Sequence, residues 1–99
     1  MAYNLFVEFN SDVEWIALHA ALGAPLHYVE TFPIPEDTSY PSKALGLSIP
    51  RKAATPAGVS ELRGCLSVLR QFGGRVFVLY SGAEVIDSNQ EEIEREILG

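Results

Sequence analysis

Two histidines, His19 and His27, and one cysteine, Cys65, are the side chains of this chain best suited to hold a metal or to act as a nucleophile. Their spacing supports neither role. A zinc site needs three or four Cys, His or acidic ligands at short spacings, and no H-E-x-x-H or paired Cys motif is present. A catalytic thiolate needs an electropositive, partly exposed setting. Cys65 instead recurs with Leu62, Leu66, Leu69 and Phe72 at helical spacing, while Arg63 and Arg70 fall off that stripe. It reads as a small core residue. Glu8, Asp12 and Glu30 are raw material for general acid–base work if they meet at one strand end, and nothing local brings them together. Arg51 and Lys52 stand just before Thr55-Pro56-Ala57-Gly58, where a helix N-terminus would welcome an anion. Without a glycine-rich phosphate loop they read as charges that balance the acidic ends of the chain. No G-x-S-x-G elbow exists either. The chain is read as leaning away from an enzyme, with no metal and no cofactor.

The charges fall into three blocks. Met1 to Thr38 holds Glu8, Asp12, Glu14, Glu30, Glu36 and Asp37 and no Lys or Arg. Lys43 to Arg75 holds six bases, Lys43, Arg51, Lys52, Arg63, Arg70 and Arg75, against Glu61 alone. Glu84 to Glu96 holds Glu84, Asp87, Glu91, Glu92, Glu94 and Glu96 against Arg95. Summed fields of this kind steer partners and set which surfaces approach one another. A net charge of −6 disfavours nucleic acid or an anionic membrane as the direct partner and favours a protein with a basic surface.

Ninety-nine residues, 47% of them hydrophobic, suit one globular domain spanning 1–99. A single cysteine excludes an internal disulfide. Met-Ala-Tyr-Asn is no basic, apolar leader, and the longest apolar stretch, Trp15 to Leu26, is too short to span a bilayer. The expected compartment is the cytoplasm.

The elements that position these residues follow from periodicity. Tyr3 to Asn10 alternates, which predicts a strand with one polar face. Ser11 and Glu14 form a capping box, predicting a helix from about Asp12 to Leu22 that stops at Gly23. Leu26 to Phe32 is rich in aromatic and β-branched residues and predicts a second strand, closed by Pro33 and Pro35. Pro35 to Lys43 reads as a surface loop and Ala44 to Ile49 as a short strand. Thr55-Pro56 starts a second helix that Gly73-Gly74 stops. Arg75 to Tyr80 is nearly all apolar and predicts a strand that is central and covered on both sides, or the best-buried strand of the sheet. Ser88 and Glu91 form a further capping box before a short acidic helix that runs to Leu98. The order β-α-β-β-α-β predicts an α+β, ferredoxin-like sandwich: an antiparallel sheet with two helices on one face and an extra short C-terminal helix.

The first helix carries two apolar faces. Val13, Ile16, Ala17 and Ala20 share one, and Trp15, Leu18 and Leu22 the other. Only one face can cover the sheet. The other meets solvent, the C-terminal helix, a second copy or a partner. Two functional expectations follow. The first is a small, acidic, non-enzymatic module that binds and masks a basic partner, of the inhibitor, immunity, antitoxin or phage anti-defence type. Its contacts would be Trp15, Glu8, Asp12, Glu14, Glu36, Asp37, Tyr40, Glu91, Glu92 and Glu94. The alternative is a dimeric small-molecule-binding protein or simple enzyme. Its pocket would lie on the open sheet face, lined by Asn4, Phe6, Glu8, His27 and Tyr80. A homodimer is compatible with both.

Overall fold

The computed structural model describes residues 2–10, 12–23, 26–33 and 44–99. Four strands, β1 (Ala2–Glu8), β2 (Glu30–Pro33), β3 (Ala44–Pro50) and β4 (Arg75–Val78), form one sheet in the order β2-β3-β1-β4, antiparallel at every junction. Helices α1 (Trp15–Leu22), α2 (Pro56–Gln71) and α3 (Gln90–Leu98) complete it, with a 3-10 turn at Arg51–Ala53. This is the ferredoxin-like arrangement expected from the element order, with the additional C-terminal helix.

Alternation in β1 sorts the two faces. Leu5 lies opposite Leu47 and Val78, and Val7 opposite Leu45 and Val76. Leu5, Leu47, Val7, Leu45 and Val76 are buried together with Phe9, Leu18, Leu62, Leu66 and Leu69, with Val78 partly buried against them, so the helices cover this face. Asn4, Phe6 and Glu8 point to the other face. There the register aligns Phe32, Gly46, Phe6 and Phe77 in one row across all four strands. The Phe6 and Phe77 rings stack with centroids 5.0 Å apart. A Cβ at Gly46 would run into the Phe32 ring, so glycine lets that ring lie across β3.

Local signals account for most boundaries. The Thr55 side chain accepts the Gly58 N–H at 3.2 Å, Pro56 opens α2, and the chain leaves it through Gly73 at φ 82°. The apolar stripe of α2 is inside: Leu62, Cys65, Leu66 and Leu69 are buried.

Four expectations need correction. The first helix begins at Trp15 rather than Asp12: Asp12, Val13 and Glu14 are not helical, and the Val13 N–H is spent on the Asn10 carbonyl at 3.2 Å. The proposed Ser11 cap lies outside the described residues. The second strand begins at Glu30, not Leu26, because the amides of His27, Tyr28 and Val29 are spent on the Glu61 carboxylate instead of a ladder. The apolar run from Arg75 is an edge strand, not a central one, and ends at Val78. Its outer edge is covered by the returning chain, where Val78 N–H donates to Ala83 C=O at 2.9 Å and Val85 N–H to Val76 C=O at 2.8 Å. Its apolar character on both faces has separate causes: Val76 sits in the core, and Phe77 stacks on Phe6. Tyr80 lies beyond the strand and is exposed. Lastly, α3 is preceded by Asn89 and not by a Ser88 cap. The Asn89 amide ties the connector, accepting Ile86 N–H at 2.8 Å and donating to Glu84 C=O at 3.0 Å.

Candidate interaction surface

The described ion pairs all join the basic middle block to the acidic last block. Arg63 on α2 forks Glu94 on α3, with Nε on Oε1 at 2.8 Å and Nη2 on Oε2 at 2.6 Å. Gln90 adds a longer contact to Oε1 of Glu94 at 3.4 Å. Arg70, two turns further along α2, donates to Gln90 Oε1 at 2.6 Å and to the Val85 carbonyl at 2.8 Å, and its Nη1 lies 3.5 Å from Asp87. Arg75 forks Glu84 at 3.2 and 3.0 Å, and its guanidinium sits 5.4 Å from the Phe77 ring centroid. These contacts fasten α3 and the 79–89 connector onto α2 and β4. Hydrogen bonds from Arg63 hold the Glu94 carboxyl below the usual carboxylate range, against the opposing push of burial. Arg75 does the same for Glu84.

Glu61 makes a different clasp. Its Oε1 accepts the N–H groups of Tyr28 at 3.0 Å and Val29 at 3.1 Å, and Oε2 accepts that of His27 at 3.2 Å. Burial pushes this carboxyl up, but the three amides outweigh it and the pKa is lowered. The lone acid of the basic block thus pins the α1–β2 connection onto α2.

The described acids of the first block do not join these pairs. Among the described residues, Glu8, Asp12, Glu14 and Glu30 enter no ion pair and no side-chain hydrogen bond. Asp12 and Glu14 are exposed in the loop that leads into α1. Glu8 is half-buried at the end of β1, opposite Arg75 and Ala44, and Glu30 is exposed at the start of β2. Helix α1 itself, Trp-Ile-Ala-Leu-His-Ala-Ala-Leu, holds no Lys, Arg, Asp or Glu. Leu18 is its buried anchor, flanked by Trp15 and Leu22. The opposite face stays in solvent: Ile16 is 88% exposed, and Ala17 and Ala20 are exposed beside it. The α3 helix packs on α2 and leaves this face uncovered.

The sequence-predicted contacts divide accordingly. Asp12 and Glu14 are exposed just before the first turn of α1. Trp15 is half-buried, edge-on to Phe9 at 5.5 Å and stacked near His19 at 5.9 Å, so only part of the indole is offered outward. Glu91 and Glu92 are exposed in the first turn of α3, away from α1. Glu94 is 7% exposed and is engaged by Arg63. Glu36, Asp37 and Tyr40 lie outside the described residues. Of the alternative pocket set, Asn4, Phe6 and Glu8 share the sheet face turned away from the helices, where Phe6 is buried. His27 is in the turn before β2, and Tyr80 is in the turn after β4. Cys65 is buried, and burial raises its pKa. Among the described residues no group of three His, Cys, Asp or Glu side chains could hold a metal ion, and no helix is long and apolar enough to cross a membrane.

Sequence reasoning did not single out Glu61, Arg63, Arg70 or Arg75. A signal for two of them exists: Arg63 and Arg70 repeat over two turns of α2, and Gln90 and Glu94 over one turn of α3, which suits two facing helices. Comparison with protein-family models, curated proteins and solved structures finds no match.

Proposed function

We propose that this protein is a non-enzymatic interaction module that docks a basic partner protein on the outer face of α1 and masks it, in the manner of an inhibitor, immunity, antitoxin or anti-defence protein. One observation carries the proposal. Among the described residues, Arg63, Arg70 and Arg75 pair with Glu94, Asp87 and Glu84, while Asp12 and Glu14, exposed at the entry to the apolar, uncharged helix α1, enter no ion pair. Exposed apolar surface rimmed by charge of one sign suits recognition of another macromolecule. Ile16 and the outward part of Trp15 supply apolar contact. Asp12 and Glu14 supply the field that attracts a basic surface and speeds encounter. The net charge of −6 supports a protein rather than a nucleic acid as partner.

The test is a binding titration of a basic protein retained by this chain from its native host, run across a range of ionic strength. Association that weakens steeply with salt supports charge-led docking. Association indifferent to salt rejects it.

A second reading has one observation in its favour. Asn4, Glu8 and Phe77 share the sheet face turned away from the helices, where a second copy could close over a small-molecule pocket. Thermal-shift screening against a metabolite panel tests it, and a flat response throughout counts against it.

A further inference from the structure

We draw no further inference here: the strongest candidate, the row of Phe32, Phe6 and Phe77 across the sheet face turned away from the helices, carries nothing because nothing in the structure shows what covers it.

Discussion

Two carboxylates do structural work that their positions in the chain do not announce. Glu94 is buried and gripped by Arg63 through two short hydrogen bonds. Its pKa is depressed, so the stability it contributes is fully present above the ordinary glutamate value of about 4.3 and is lost as pH falls through the lower folded value. Replacing Glu94→Gln should cost about 1–2 kcal/mol at neutral pH, since charge-assisted hydrogen bonds are lost but Arg63 stays largely in water. Urea unfolding of both proteins near pH 7 and near pH 3 checks this. The gap between them should narrow in acid, as falling pH removes the stability that a carboxylate with a lowered folded pKa contributes. A gap unchanged by pH would show that shape, not charge, matters at this position. Glu61 is the second case. Glu61→Ala leaves the amides of His27, Tyr28 and Val29 without their acceptor. Hydrogen exchange at these amides should speed up by about tenfold or more, because a bond to a charged acceptor is worth about 1.5–3 kcal/mol. Exchange in the middle of α2 should hardly move. Equal acceleration in both places would mean global destabilisation rather than release of a local clasp.

Elements were legible where one local signal sufficed. Thr55-Pro56 and the stripe from Leu62 to Leu69 appear in the structure as read, because a cap and a 3.6-residue period need no knowledge of the rest of the chain; β1 forms where its alternation predicts, but Phe6 is buried on the face read as polar. The start of β2 was not legible, since the acceptor that diverts residues 27–29 from the ladder comes from Glu61, more than thirty positions away. The edge position of β4 was hidden for a related reason. A ring that stacks across a neighbouring strand and a side chain buried under a helix give the same apolar run in sequence. Helix α2 offers a test of how closely its packing is fitted. A Cβ at Gly58 would collide with the Ala53 carbonyl oxygen, whereas one at Gly64 would meet nothing. Gly64→Ala should therefore stabilise the protein by about 1 kcal/mol through helix propensity. Gly58→Ala should destabilise it by about 1–3 kcal/mol, the usual range for overpacking, despite the same propensity gain. Thermal melts of the two variants should move in opposite directions. A shared upward shift would mean that the turn at Arg51–Ala53 gives way at little cost.

At the scale of the whole molecule, the three charge blocks were plain in the sequence, but where each would point was not. Pairing of Arg63, Arg70 and Arg75 with Glu94, Asp87 and Glu84 depends on α3 and the connector returning along α2 and β4. No local pattern states that. The consequence is a division among the described acids: Glu84, Asp87 and Glu94 fasten the connector and the C-terminal helix, while Asp12 and Glu14 enter no ion pair. Ile16→Asp should leave stability within about 0.5 kcal/mol, because the side chain it replaces is already in water. If the outer face of α1 is the docking surface, the same change should sharply weaken partner binding. The dissociation constant of the retained basic partner, compared between wild type, Ile16→Asp, the pair Asp12→Lys with Glu14→Lys, and the pair Glu91→Lys with Glu92→Lys, tests this most directly. We expect at least about a tenfold loss from each of the first two variants, equivalent to about 1.4 kcal/mol, and a smaller loss from the α3 pair. Binding that survives both changes at α1 but fails with the changes on α3 would contradict the account.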